Sequence, residues 1–141
     1  GVHMDTQDMA RKRLLEESKI IAIVGLSPDE EKPSNMVGKY LKKAGYKIIP
    51  VNPQQEEILG EKSYKNLSEI TEDIDIVDIF MRGDKVLPVV EEAISIKPKA
   101  IWLQLGIINE EARTLAQKSN IPFYMNLCIK QEHSRLLKSD K

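Results

Sequence analysis

Cysteine, long apolar runs, clustered glycine and an excess of charge of one sign are all scarce in this chain, and each shortage removes a class of protein. One cysteine, Cys128, cannot close an internal disulfide, so a disulfide-stapled scaffold is excluded, and a reducing compartment or indifference to redox state fits. The same count denies the chain the thiolate-rich ligand sets of structural zinc, and no metal site is expected. No apolar run approaches the roughly 18 residues of a membrane-crossing helix, and no charged-then-apolar leader opens the chain, so a soluble cytoplasmic protein without a membrane partner is the expectation. The 21 basic residues nearly cancel the 22 acidic ones, which leaves none of the strong positive field that non-specific nucleic-acid binding requires. No nucleic-acid partner is expected.

What is present suffices for one core: 141 residues, 41% of them apolar. Residues 1–4 read as an expression remnant followed by the native start, and 5–141 as a single domain without repeat, low-complexity tract or linker. Setting His3 aside with the remnant leaves His133 as the histidine available for chemistry.

The stretch DTQDMARKRLLEES, from Asp5 to Ser18, has helical propensity and a narrow apolar face anchored by Leu14 and Leu15. After it comes IIAIVG (20–25), a continuous β-branched run that predicts a strand buried on both faces. KIIPVN (47–52), IDIVDIF (74–80) and AIWLQ (100–104) share that character, and PFYMN (122–126) makes a fifth. Between them lie helical patterns. Val37, Tyr40, Leu41 and Ala44 share a face, with Ser34 as the candidate N-cap and Gly45 as the stop. Val86, Val89, Val90, Ala93 and Ile94 form a second, with Asp84 as candidate cap and Pro88 in the first turn. Asn109 caps a third, whose Ala112, Leu115 and Ala116 face inward and whose start carries Glu110 and Glu111. Between residues 53 and 70 the alternation lapses, with a short extended piece at Ile58 and Leu59 and a helical turn from Leu67 to Ile70. Strands alternating with helices predict an α/β fold: a doubly wound, five-stranded parallel sheet of Rossmann-like type in three α/β/α layers.

In such a sheet, ligands bind beyond the carboxyl ends of the strands, where the strand order reverses. That rule nominates Gly25 to Ser27, Asn52 to Gln54, Met81 to Gly83, Gln104 to Gly106 and Asn126 to Cys128. In the opening loop, VGLSPDEEKPSN (24–35), Gly25 permits a sharp turn and the following helix offers free N–H groups to an anion, with Lys32 and the hydroxyls of Ser27 and Ser34 nearby. A phosphate suits it, although the several glycines of GxGxxG are missing. The alternative is a turn glycine beside a solvated lysine. Dinucleotide sites that take NAD usually place an acid at the end of the second strand, whereas here Asn52 and Pro53 stand there. No Arg or Lys lies between Asn52 and Glu61 to receive the extra phosphate of NADP.

Taken in order, VGLSPDEEKPSNMVGKYL, GYKIIPVNP, ILGEKSYKNLSEI, IDIVDIF, AIWLQLGIINEEA and NLCIKQEH resemble the small CoA-binding proteins of Rossmann-like fold, similar to the N-terminal CoA-binding domain of the succinyl-CoA synthetase α subunit. The likeness runs from about Ile20 to Leu137. It implies coenzyme A, free or acylated, lying across the carboxyl edge with its diphosphate near the first loop. Gly25, Leu26, Ser27, Lys32, Pro33 and Ser34 would form the phosphate side, and Asn52 and Pro53 would border the adenosine end. Met81 and Arg82 would close the third strand end, while Gln104, Leu105 and Gly106 would flank the ligand at the fourth. Family members often carry arginine where Lys32 stands, and lysine offers a point charge without the two-pronged fork. Leu26, Met81 and Leu105 would suit the mildly apolar pantetheine arm.

The tail gathers Cys128, Lys130, Glu132 and His133 within six residues, a set that includes a nucleophile, a carboxylate and a base. Catalytic pairs usually assemble from distant segments, so a half-buried thiol before a polar helix start is the plainer reading, and no catalytic residue is assigned. A CoA-binding protein without turnover is therefore expected, with a homo-oligomer or an unidentified protein partner left open. An NAD(P)-dependent oxidoreductase and a non-enzymatic interaction scaffold are the rivals. Trp102 sits just before a strand end, and the oxidoreductase reading expects nicotinamide cofactors, and not coenzyme A, to quench it.

Overall fold

The computed structural model describes residues 4–138, so Gly1 to His3 of the expected remnant lie outside the described residues. Five parallel strands form the main sheet: β1 (Ile20–Val24), β2 (Lys47–Val51), β5 (Ile76–Ile79), β6 (Ala100–Leu103) and β7 (Phe123–Tyr124), in the order β2-β1-β5-β6-β7. A small antiparallel hairpin, β3 (Glu57–Ile58) and β4 (Glu61–Lys62), intervenes in the chain between β2 and β5. The order reverses at β1, whose two neighbours are β2 and β5. Their carboxyl ends thus flank the switch point at which open α/β sheets take ligands.

Burial on both faces explains why these segments are strands. In β1, Ile21 and Ile23 enter one apolar cluster while Ala22 and Val24 enter the other. On the first side lie α1 (Thr6–Glu17), α2 (Pro33–Lys43) and α5 (Ile129–His133), which contribute Leu15, Val37, Leu41 and Ile129. On the second lie α3 (Leu87–Ser95) and α4 (Glu110–Lys118), which contribute Val90, Ala93 and Ala112. The expected three-layer, Rossmann-like α/β architecture is therefore present. Each fully buried Ile or Leu in these clusters stabilises the fold by about 1.5 to 3 kcal/mol. Among the described residues, no helix is long and apolar enough to cross a membrane.

Two helix starts differ from the sequence expectation. Lys32, not Ser34, takes the extended N-cap conformation of α2, because Pro33 is already fixed at helical φ, and the Ser34 hydroxyl accepts the Ser27 N–H at 2.9 Å instead. In α3, Val86 is the cap and Pro88 lies in the first turn. Asp84 belongs to the 3₁₀ turn Gly83–Lys85 before it. Asn109 caps α4 as expected, its side chain accepting the Ala112 N–H at 2.9 Å.

Helix α1 has little apolar face of its own, burying Arg11 and Leu15. Charge holds it instead. The Arg11 guanidinium meets Glu132 of α5 at 2.7 Å and stands over the Tyr124 ring at 5.1 Å. Asp8 meets Arg135 at 2.7 Å, in the π-helical turn Ser134–Lys138 that continues α5.

Candidate functional site

Beyond the ends of β1, β2 and β5 lies a cavity of about 400 Å³, within the range of small-ligand sites. Val24, Gly25, Asn52, Pro53 and Met81 line it, together with Leu67 of the 3₁₀ turn Leu67–Glu69 and Val89 of α3. Alternation along the strands accounts for the wall: Val24 and Val51 sit in the same cluster as Val77 and Ile79, and Met81 packs against it.

Gly25 has φ +83°, and a Cβ there would stand 2.1 Å from the Phe80 carbonyl oxygen. Its N–H donates to the Val51 carbonyl at 2.9 Å, so the turn ties β1 to β2 while pressing against the end of β5. Leu26, expected along the pantetheine arm, is fully buried among the α2-side residues. Only its backbone remains near the edge, and its carbonyl accepts the Asn52 side-chain amide at 3.0 Å.

The loop after Gly25 is braced from within. Ser27 donates its N–H to Ser34, its hydroxyl accepts the Asp29 N–H at 3.1 Å, and its carbonyl accepts the buried Asn35 amide at 2.8 Å. Each serine hydroxyl retains a proton to donate. Lys32 is exposed at the start of α2 and makes no ion pair among the described residues. Beside it run three acids, of which Glu30 pairs with Lys39 at 3.4 Å and Asp29 accepts the Glu31 N–H.

Asn52 acts as a strut. Its side chain donates to Leu26 and accepts from Gln54 N–H at 2.9 Å, and its backbone is bonded to Tyr64 and Ser63. Arg82 points into solvent and closes a two-pronged pair with Asp84, at 3.1 and 2.9 Å. Gln104 is buried and accepts the Ile129 N–H at 3.1 Å, which makes it a brace for α5. Leu105 is exposed, and the Gly106 N–H is held by the Asn126 side chain at 2.8 Å. Gly25, Asn52, Pro53 and Met81 are thus brought together at one cavity, with Lys32, Pro33 and Ser34 across the loop from it. Arg82, Gln104, Leu105 and Gly106 lie along the adjoining edge.

Trp102 lies on the opposite side of the sheet from the cavity wall, fully buried, with its indole N–H donating to the Leu127 carbonyl at 2.9 Å. The tail residues are likewise engaged in holding α5: Glu132 with Arg11 and Arg135, the His133 Nδ1 with the Tyr40 hydroxyl at 2.8 Å, and the Lys130 ammonium 5.7 Å from the Tyr40 ring centre. Burial would raise the Glu132 carboxyl, but hydrogen bonds and charge from Arg135 and Arg11 hold it below the ordinary range.

Among the wall residues that the strand-end rule does not nominate are Lys65, Asn66, Leu67 and Glu92. Glu92 accepts the Leu67 and Ser68 N–H groups at 3.2 and 3.4 Å and so fixes the turn that carries Leu67. A further buried group, Asp78 at the centre of β5, has both carboxyl oxygens without a partner, and burial pushes its pKa well up.

Residues 19–134 match the family described as the CoA binding domain. Over 123 residues, 87% of this chain and 91% of the relative, the sequence is 42% identical to the uncharacterized protein YneT of Bacillus subtilis strain 168. A 74-residue stretch is 39% identical to the ADP-forming acetate–CoA ligase of Methanocaldococcus jannaschii, covering 10% of that longer protein. In structure, a hypothetical protein from Pyrococcus horikoshii OT3 superposes with a TM-score of 0.90 at 36% identity, covering 97% of this chain and 99% of that one.

Proposed function

The chain belongs to the CoA-binding domain family, and on that premise we propose that it binds coenzyme A, free or acylated, along the carboxyl edge of its parallel sheet without turning it over. The observation that carries this reading is the cavity at the switch point, where Gly25 lets the backbone pass close to β5 and where the walls mix apolar side chains with a few polar groups. The adenosine occupies this cavity against Asn52 and Pro53. The diphosphate turns over Gly25 toward the start of α2, where the Ser34 N–H, the serine hydroxyl protons and Lys32 receive it. Met81, Leu105 and the backbone at Gly106 then border the pantetheine arm.

The tail's carboxylate and imidazole are committed to contacts with α1 and α2, and among the described residues no base is paired with Cys128 to activate it for turnover.

Isothermal calorimetry with coenzyme A, acetyl-CoA, NAD and NADP tests the reading. Saturable heat with the two CoA forms and none with the nicotinamide nucleotides is expected. Heat with NADP and none with coenzyme A would favour an oxidoreductase, and no heat with any of the four would leave an interaction scaffold.

A further inference from the structure

Resting on that reading, we propose that Lys65 is the residue that recognises the 3′-phosphate on the ribose of coenzyme A, and so distinguishes the coenzyme from its dephosphorylated form. The lysine is thirteen residues from Asn52 in sequence, yet the chain returns it to the end of β2. After the hairpin, Tyr64 forms a parallel bridge with Val51: its N–H donates to the Pro50 carbonyl at 3.0 Å and its carbonyl accepts the Asn52 N–H at 2.9 Å. The Ser63 hydroxyl donates to the Asn52 carbonyl at 3.1 Å. Residues 63 and 64 therefore run beside β2 as an added strip, and the next residue emerges at the carboxyl edge.

There Lys65 lines two depressions. One is the 400 Å³ cavity assigned to the adenosine, and the other is an adjoining open hollow of about 500 Å³ bounded by Pro53, Gln54, Gln55 and Ser63. A nucleoside whose base enters the first places its ribose at the rim they share, at Pro53, Gln54 and Lys65. Other nearby cations are less suited. Arg82 is forked on Asp84, Lys62 stands over the Tyr64 ring at 4.9 Å, and Lys32 is not among the wall residues of either depression. Lys65 is exposed and makes no ion pair among the described residues. Glu92, on the wall of the first depression, is occupied by the Leu67 and Ser68 N–H groups, and Glu56 lies with Lys62 on the wall of the outer hollow, so Lys65, the cation common to both walls, has a charge left to offer a dianion.

A four-way titration decides the matter: wild type and Lys65→Gln, each with coenzyme A and with dephospho-CoA. Wild type is expected to prefer coenzyme A by about tenfold, and Lys65→Gln to lose most of that preference while binding dephospho-CoA unchanged. Lys62→Gln, which removes the same charge one strand earlier, is expected to shift the preference by less than half as much on a logarithmic scale. Equal effects from the two lysines, or an equal loss of both ligands in Lys65→Gln, would overturn the assignment while leaving coenzyme A binding intact. Wild type that bound neither ligand would sink the functional reading as well. NADP and NAD form a separate arm, because the 2′-phosphate has the same chemistry: a preference for NADP removed by Lys65→Gln, without coenzyme A binding, would keep the phosphate contact but overturn its assignment to the coenzyme.

Discussion

Replacing Gly25 by alanine tests whether the turn at the end of β1 is set by contact as well as by backbone conformation. At φ +83° an L-residue costs about 1 to 2 kcal/mol. The new methyl would also stand 2.1 Å from the Phe80 carbonyl oxygen, where side-chain carbons essentially never come within 3.0 Å, so the ends of β1 and β5 must part by about 0.9 Å. That separation strains the Phe80 N–H bond to the Val24 carbonyl, 2.9 Å long, and overpacking of this kind typically adds about 1 to 3 kcal/mol. A total near 3 kcal/mol lowers Tm by about 10 °C in a chain of this length. Gly45→Ala is the matched control: its φ is +109°, but nothing lies within 4 Å of the added carbon. It should lose about 1 kcal/mol and about 3 °C. Both variants are read by thermal unfolding and by calorimetry with coenzyme A. Gly25→Ala is expected to weaken the coenzyme at least tenfold and Gly45→Ala to leave it unchanged. Equal Tm losses in the two variants would refute the contact argument, and full affinity in Gly25→Ala would separate the turn from the site.

Lys32→Ala should weaken coenzyme A several-fold in calorimetry, and Arg82→Ala by less, since the guanidinium already spends its fork on Asp84. The reverse order would move the diphosphate away from α2. Because burial raises the pKa of Asp78, the folded chain holds a proton that the unfolded chain releases; stability is fullest below the ordinary carboxyl range and falls as pH rises toward the folded-state value. Urea unfolding between about pH 5 and pH 8 should show that decline, Asp78→Asn should flatten it, and an unchanged slope in the variant would remove Asp78 as its source. Glu132 acts in the opposite sense, its lowered carboxyl contributing stability that is lost below about pH 4. Arg11→Ala should cost about 2 kcal/mol in urea unfolding, because it leaves a mostly buried Glu132 with Arg135 as its remaining guanidinium partner, whereas Arg13→Ala, which breaks an exposed pair with Glu17, should cost about 0.5 kcal/mol or less. Similar losses would show that α1 is held by its apolar contacts alone.

Four of the main strands were legible because each is a short apolar, mostly β-branched run buried on both sides, a pattern that burial itself imposes, and the half-buried β7 by its aromatic pair. Helix starts were less so. Ser34 and Asp84 are the residue types that cap helices, but Pro33 and Pro88 set where the helical turns begin, and the two polar side chains found partners in Ser27 and Arg82. Asn109 competed with no such proline and was read correctly. Of the site, Gly25, Asn52, Pro53 and Met81 followed from the strand-end rule, which needs only the strand boundaries. Leu26 and Gln104 also lie at strand ends, but whether a side chain there faces ligand or core depends on the packing of α2 and α5. Lys65 was invisible because its position comes from pairing between Val51 and Tyr64, a contact with no local signature.

The strip at residues 63 and 64 has an effect beyond ligand binding. Parallel sheets end in rows of unsatisfied amides that can recruit foreign chains, and lysine, bulges or very short terminal strands are common defences. One margin here is overlaid by Tyr64 and the hairpin before it, and the other finishes in β7, only two residues long. Neither side presents a long template, so the sheet resists growing by capture of another molecule's backbone.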